Sequence, residues 1–223
     1  MLFRVTLVLA LLSVFLDFFD AHVPNFPGGG WLHHAFDLDA EANIPTFFST
    51  GLLLLGGCLS LLIARVGARA GSTASSAGSW RLLGFILILM GGDELLMFHE
   101  TLGSFLDSPF HVAGVYAWVI PGTLAVLWFV WSFFRFFKSL PSAVRRYLAL
   151  SFLLFVGGAV GLEYVEAVNR KVMGELGLSG LLLTNSQETL EMLGEIVLVK
   201  GLLIYIRDFL EYPRTQLALL FGD

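Results

Sequence analysis

The stretch LLLLGGCLSLL, residues 52–62, is almost wholly apolar and lies inside a longer apolar run over residues 45–66. About 20 apolar residues are enough for an α-helix to cross a bilayer. Other apolar runs of similar length lie at residues 3–23, 80–101, 113–138, 145–168 and 182–207. The sequence therefore predicts a bundle of six transmembrane helices.

The composition agrees with a membrane protein. Hydrophobic residues make up 57% of the 223 residues and charged residues only 14%, which is too apolar for the surface of a soluble domain. No hydrophilic stretch is long enough to form a second domain, so residues 1–223 are expected to form a single all-α transmembrane domain. The lipid bilayer is the expected partner, and no nucleic-acid partner is expected.

The positions of the cations predict the orientation, because Lys and Arg in short loops stay on the cytoplasmic side. With six spans both termini lie on one side, and most cations fall on that side: Arg4, Arg65, Arg69, Arg81, Arg135, Lys138, Arg145, Arg146, Arg207 and Arg214. The opposite loops are acidic. We therefore predict that both termini are cytoplasmic.

Acidic residues within the predicted spans converge at one depth, the outer half of the membrane. They come late in the outward spans and early in the last, inward span: Asp17, Asp20, Asp93, Glu94, Glu100, Glu163, Glu166, Glu188, Glu191 and Glu195, together with His99. Each carboxylate in hydrocarbon costs about 2.5–3.5 kcal/mol. Because neighbouring anions repel, the cluster predicts either bound metal ions or shared protons.

Helical geometry selects the candidate metal ligands. At about 100° per residue, Glu188, Glu191 and Glu195 form one stripe. The other candidates are Asp93, Glu94, His99, Glu100, Glu163 and Glu166. His99 does not share the face of Asp93 in a straight helix, so either it faces another neighbour or a π-bulge near Gly91 and Gly92 turns it inward.

Simpler interpretations stand beside metal binding. A salt-bridged helix end explains Glu163, Glu166 and Arg170 equally well, and Asp17 and Asp20 are expected at a helix end that meets water. His33 and His34 belong to a predicted amphipathic segment that lies on the outward-facing surface of the membrane, where Trp31 anchors it. Metal ligation by these two histidines is the less favoured alternative.

Three stretches resemble a group of uncharacterised bacterial polytopic inner-membrane proteins. They are DLDAEANIPTFFST (37–50), GDELLMFHETLG (92–103) and YAWVIPG (116–122). The resemblance implies a bacterial inner-membrane origin and implies no reaction.

The sequence leaves three hypotheses for function. The first is that the carboxylate and histidine cluster binds one or two ions of iron, manganese or zinc for redox chemistry on a lipid-soluble substrate, since oxygen-rich ligand sets suit these metals better than copper(I). The second is a proton or cation relay, although the inner halves of the spans hold few titratable residues. The third is an accessory or scaffold subunit that packs against other membrane subunits through the aromatic stretch WFVWSFFRFF (128–137).

Overall fold

The computed structural model describes residues 1–23, 28–69, 74–98, 101, 119–165, 168 and 178–210. Within these residues the chain is all-helical, with seven α-helices, one π-helix and no strand. The α-helices are α1 (Leu2–His22), α2 (Gly29–Phe36), α3 (Ile44–Arg69), α4 (Ala74–Leu96), α5 (Val119–Ser139), α6 (Ser142–Val156) and α7 (Leu178–Phe209). The π-helix, Gly157–Leu162, continues directly from α6.

Three helical stretches of the described chain are long and apolar enough to cross a membrane: Leu2–Asp20, Ile44–Ala68 and Ser142–Val165. They correspond to the first, second and fifth predicted spans. Charged side chains interrupt the apolar character of α4 and α7, which carry the acidic residues of the predicted cluster. The described residues thus agree with the predicted all-α class, with three helices apolar enough to cross a membrane, and the six spans stay a prediction.

Helices α3 and α4 cross at two glycines. A Cβ atom on Gly84 would lie 2.9 Å from the carbonyl oxygen of Gly57, so only the absence of side chains permits this approach. Trp80, 2% exposed, packs edge-on against Phe136 of α5 with 4.9 Å between ring centroids. Leu198 and Leu202 of α7 complete the same apolar core.

Helix α7 packs along α6 and the π-helix. At Gly194 an added Cβ would lie 2.9 Å from the backbone nitrogen of Phe155, and at Gly201 it would lie 2.9 Å from Cβ of Tyr147. Gly158, in the π-helix, meets α7 in the same way. Glycine therefore sets the distance between these two helices along their shared length.

The segment between α2 and α3 folds back against the bundle. Leu38 is buried with Leu9 of α1 and Met192 of α7, and its backbone N–H donates to Ser13 Oγ at 3.1 Å. Asn43 ends the segment by capping α3, because its Oδ1 accepts from the N–H of Thr46 at 3.1 Å. Its Nδ2 also donates to the carbonyls of His34 and Asp37.

The bounds of α3 and α4 differ from the predicted spans. The spans at 45–66 and 80–101 left residues 67–79 between them, but α3 continues to Arg69 and α4 already begins at Ala74, since Ser and Ala are compatible with a first helical turn. Of the two alternatives for His99, a π-bulge near Gly91 and Gly92 is not found, because α4 is α-helical through Leu96. The described chain places its π-helix at Gly157–Leu162 instead.

Candidate functional site

Three carboxylates from separate parts of the chain line one small cavity. Glu41 comes from the segment before α3, Glu94 from the last turn of α4 and Glu188 from α7. Thr46 and Ser49 of α3 add hydroxyl groups, and Leu38, Pro45 and Met192 complete the lining. The cavity has a volume of about 10 Å³, which is room for one water molecule or one metal ion.

Glu94 joins the glutamate stripe of α7 in one electrostatic centre. It lies close enough to Glu188, Glu191 and Glu195 to repel each of them when ionised. Glu41 and Asp39 repel Glu188 in the same way. The acidic end of α4 and the α7 stripe therefore lie within electrostatic reach of each other, and Glu94 and Glu188 line the same cavity.

The two glycines that precede Asp93 in α4 do not account for this proximity. Gly91 faces α3, where an added Cβ would lie 3.3 Å from Cβ of Leu53, and nothing lies within 4 Å of a Cβ on Gly92. These glycines therefore do not bring α7 close to α4. Helix α3 contacts both α4 and α7, and Thr46 and Ser49 in its first turns line the cavity together with Glu94 and Glu188.

Glu195 lies at the buried end of the stripe, with only 1% of its surface exposed. Its Oε1 accepts a hydrogen bond from Ser49 Oγ at 2.7 Å. Its Oε2 is buried and has no hydrogen-bond partner within the described residues. Because Ser49 also lines the cavity, it connects this deep carboxyl group to the cavity wall.

Glu191 and Glu163 form the side of the centre next to the π-helix. Glu163 Oε2 accepts a hydrogen bond from Gln187 Nε2 at 2.8 Å, which links the end of the π-helix to α7. Glu191, 8% exposed, is close enough to Glu163 for the two carboxylates to repel each other. Glu163 therefore faces the acidic centre as well as its amide partner.

The remaining predicted ligands do not line the cavity or lie outside the described residues. Asp93 is half-buried and is not among the residues that line the cavity. His99, Glu100 and Glu166 lie outside the described residues, as does Arg170, the expected ion-pair partner of Glu163 and Glu166. Their part in the site stays a prediction.

A second cluster joins α1 to α2. His33 Nε2 lies 2.7 Å from Asp17 Oδ1, and its Nδ1 lies 3.9 Å from Asp37 Oδ2. One potential ligand atom from each of the three residues lies within 4.8 Å of the others. Asp17 also accepts from Asn185 Nδ2 at 3.3 Å, so α7 contacts the same cluster.

This cluster corrects the expectation that Asp17 meets water at a helix end. The Asp17 side chain is only 9% exposed, because α2 and α7 cover it. His33 belongs to the predicted amphipathic segment, which does form the helix α2, but its ring points at α1. Histidine spacing within one short helix gives no signal of a partner on another helix, so the sequence did not reveal this pair.

Glu41 is the carboxylate of the cavity that the sequence pattern did not predict as a site residue. It lies in DLDAEANIP, whose acidic residues suggested only an outward loop. The available signal was Leu38, an apolar residue between two aspartates, followed by the capping residue Asn43. Together they mark a segment that is held against the bundle.

Comparison with known families supports a single assignment. A family model matches residues 2–206. The chain belongs to this family, a domain of unknown function (DUF8692). No curated protein and no solved structure matches the chain. Both the cavity and the Asp17 cluster lie within the matched residues, so the family model includes every residue described here as part of a site.

Proposed function

We propose that the chain is a multi-pass protein of a bacterial cytoplasmic membrane, with six spans and both termini in the cytoplasm. Three apolar helical stretches support membrane insertion. The distribution of Lys and Arg among the loops supports the orientation. The resemblance of residues 37–50, 92–103 and 116–122 to bacterial inner-membrane proteins supports the location.

We further propose that the acidic centre binds a divalent metal ion. The observation that carries this proposal is that Glu41, Glu94 and Glu188 come from three separate segments and line one ion-sized cavity. Three carboxylates in so small a space repel one another strongly unless a cation or protons lie between them. A cation between the carboxylates removes that repulsion.

The lining favours a hard ion among the expected metals. Within the described residues its polar side chains are carboxylates and hydroxyls, and Met192 contributes the one sulfur, a weakly ligating thioether. Oxygen ligands suit manganese better than zinc, which prefers nitrogen and sulfur. Manganese is therefore the proposed ion, iron the next candidate and zinc the last.

The proposed use of the ion is redox chemistry on a molecule that enters from the membrane. Manganese and iron change oxidation state, whereas zinc does not. Carboxylate-rich helical bundles are a known setting for such ions. The helices around this centre are apolar elsewhere, which suits a lipid-soluble substrate better than a charged one.

A local site is better supported than a proton or cation relay. One turn beyond Glu195, α7 continues with Leu198, Val199 and Leu202, all buried. These residues belong to apolar packing and offer no group that could pass a proton on. The acidic centre therefore ends at Glu195 within the described part of α7.

One observation favours the accessory-subunit alternative. Helix α5 exposes a face of large apolar side chains in which Trp131 is 82% exposed and Leu124 is 62% exposed. Such a face packs against lipid tails or against another membrane subunit. If this face packs against another subunit, other subunits are expected to co-purify stably after mild extraction.

Metal analysis tests the proposed centre. Protein purified in detergent without chelator is expected to contain about one equivalent of manganese or iron, and chelated protein is expected to take up added Mn²⁺. The Glu188→Gln variant removes a carboxylate from the cavity wall and is expected to weaken Mn²⁺ binding at least tenfold. Asp20→Asn removes an exposed carboxylate outside the cavity and serves as the charge-matched control.

Two outcomes would overturn the proposal. One is wild-type protein that neither retains metal nor binds added Mn²⁺. The other is equal Mn²⁺ affinity in Glu188→Gln and Asp20→Asn. For redox use, the electron paramagnetic resonance signal of bound Mn²⁺ must disappear on oxidation and return on reduction.

A further inference from the structure

The cluster formed by Asp17, His33 and Asp37 has the geometry of an additional metal site. Its potential ligand atoms lie within 4.8 Å of one another. Ligands around a tetrahedral zinc ion, at about 2.0–2.2 Å from the metal, lie about 3.4 Å apart. Small side-chain rotations are therefore enough to bring these three groups around one ion.

The surroundings of the cluster reduce competition from water. The exposed fractions of the Asp17, Asp37 and His33 side chains are 9%, 17% and 28%. Two carboxylates and an imidazole held together at the end of a bundle have strong affinity for a divalent ion. Asp37 directly follows α2, one turn after His33, and its backbone N–H donates to the His33 carbonyl oxygen at 2.8 Å.

Asn185 provides an independent indication of a ligand. It is 6% exposed, and its Nδ2 contacts Asp17, which places its amide group at the cluster. Its Oδ1 is buried and has no hydrogen-bond partner among the residues that the structure describes. A buried amide oxygen without a partner costs about 1–3 kcal/mol. Rotation of the amide by 180° exchanges the two atoms and turns Oδ1 toward Asp17, at the loss of the hydrogen bond that Nδ2 donates to the Leu181 carbonyl at 3.0 Å.

We propose that Asp17, His33, Asp37 and Asn185 bind a zinc-class divalent ion. One nitrogen and three oxygen ligands suit a four-coordinate zinc ion, and Co²⁺ substitutes for zinc in such sites. In this arrangement Asn185 Oδ1 acquires the partner that it lacks. The site shares no residue with the cavity of Glu41, Glu94 and Glu188, so this proposal does not depend on the proposed function.

The ion would join α1, α2 and α7 at one point. Asp37 immediately precedes Leu38, and Glu41 follows within the same segment. Fixing Asp37 to α1 and α7 therefore also fixes the segment that forms one wall of the cavity. The proposed role of the ion is to hold that segment in place.

Co²⁺ and Zn²⁺ binding to chelated full-length protein in detergent tests the proposal. Wild-type protein is expected to bind Co²⁺ with the visible absorption of a four-coordinate ion and to melt at a higher temperature with Zn²⁺. His33→Ala is expected to lose the absorption, the Zn²⁺ shift and at least tenfold in affinity. His34→Ala, which removes the neighbouring exposed histidine, is the matched control and is expected to keep all three.

Further variants keep the test decisive. Glu188→Gln is expected to retain the Co²⁺ absorption, which separates this site from the cavity. If His33→Ala does not fold, Asp37→Asn takes its place with the same expected loss. The proposal is overturned if Co²⁺ absorption and Zn²⁺ stabilisation are equal in wild type and in the folded His33 or Asp37 variant. It is also overturned if wild type shows neither of them.

Discussion

Gly158 lies so close to Glu191 that a Cβ atom on the glycine would be 2.8 Å from Cγ of the glutamate. The same Cβ would be 2.8 Å from the carbonyl oxygen of Gln187. Gly158 belongs to the π-helix, and π-helices are frequent at functional sites. The wider turn and the missing side chain together let α7 bring Glu191 against the helix that carries Glu163.

Gly158→Ala is expected to destabilise the protein by about 1–3 kcal/mol, because backbone atoms of α7 cannot move aside as a flexible side chain would. The control is Gly157→Ala, at a position where nothing lies within 4 Å of an added Cβ. This control is expected to leave stability unchanged or slightly higher. Unfolding of both variants in detergent, followed by circular dichroism, measures the difference. Equal stability of the two variants would show that α6 and α7 are not in such close contact.

Ser49→Ala is expected to cost about 1–3 kcal/mol, because it removes the hydroxyl group that donates to the buried Glu195 carboxyl group. Ser60→Ala is the matched control on the same helix. Ser60 is also buried, but its hydroxyl donates only to the carbonyl of Gly56, one turn earlier in its own helix. We expect the control to lose less than half as much stability in the same unfolding assay. A larger loss for Ser60→Ala would contradict a central role for the contact between Ser49 and Glu195.

The helices could be predicted because the apolar runs have lengths close to those of the helices they form. The run predicted at 45–66 is the helix Ile44–Arg69, and the run predicted at 182–207 is Leu178–Phe209. Helix ends were less accurate, because Gly, Ser and Ala fit either a connector or a first turn. The hydrophobic pattern therefore locates a helix more reliably than it locates its ends.

The acidic centre could be predicted only in part, for a related reason. The stripe of Glu188, Glu191 and Glu195 follows from the period of an α-helix. Glu41 belongs to no periodic pattern. Its position depends on the segment before α3, which folds back against the bundle where Leu38 is buried. The pairing of His33 with Asp17 likewise depends on how α2 packs on α1, which no local pattern encodes.

Asn43 is predicted to have two separable roles, which two substitutions distinguish. Asn43→Ala removes both the cap of α3 and the bonds to His34 and Asp37, and is expected to cost about 2 kcal/mol or more. Asn43→Asp keeps an oxygen that caps Thr46 but loses the amide donor, and is expected to cost less. Proteolysis of the segment before α3 is expected to increase in both variants. Full resistance of Asn43→Asp to added protease would show that the amide donor does not hold the segment.

The predicted orientation places α2 outside the cell membrane and the start of α6 in the cytoplasm. Gly30 is exposed in α2 with nothing within 4 Å of an added Cβ, and Ser142 is exposed at the first residue of α6. In a Cys58→Ser background, which removes the single natural cysteine, Gly30→Cys is expected to react with a membrane-impermeant maleimide in intact spheroplasts. Ser142→Cys is expected to react only after permeabilisation.

This difference depends on the number of crossings between the two positions. If α3, α4 and α5 all cross the membrane, residues 30 and 142 must lie on opposite sides, and the positive-inside rule places residue 142 within the cytoplasm. Permeabilised spheroplasts, in which both cysteines are expected to react, control for buried thiols. Reaction of both variants in intact spheroplasts would mean an even number of crossings and would contradict the six-span arrangement. Reaction of Ser142→Cys alone would reverse the orientation and leave the arrangement of the helices intact.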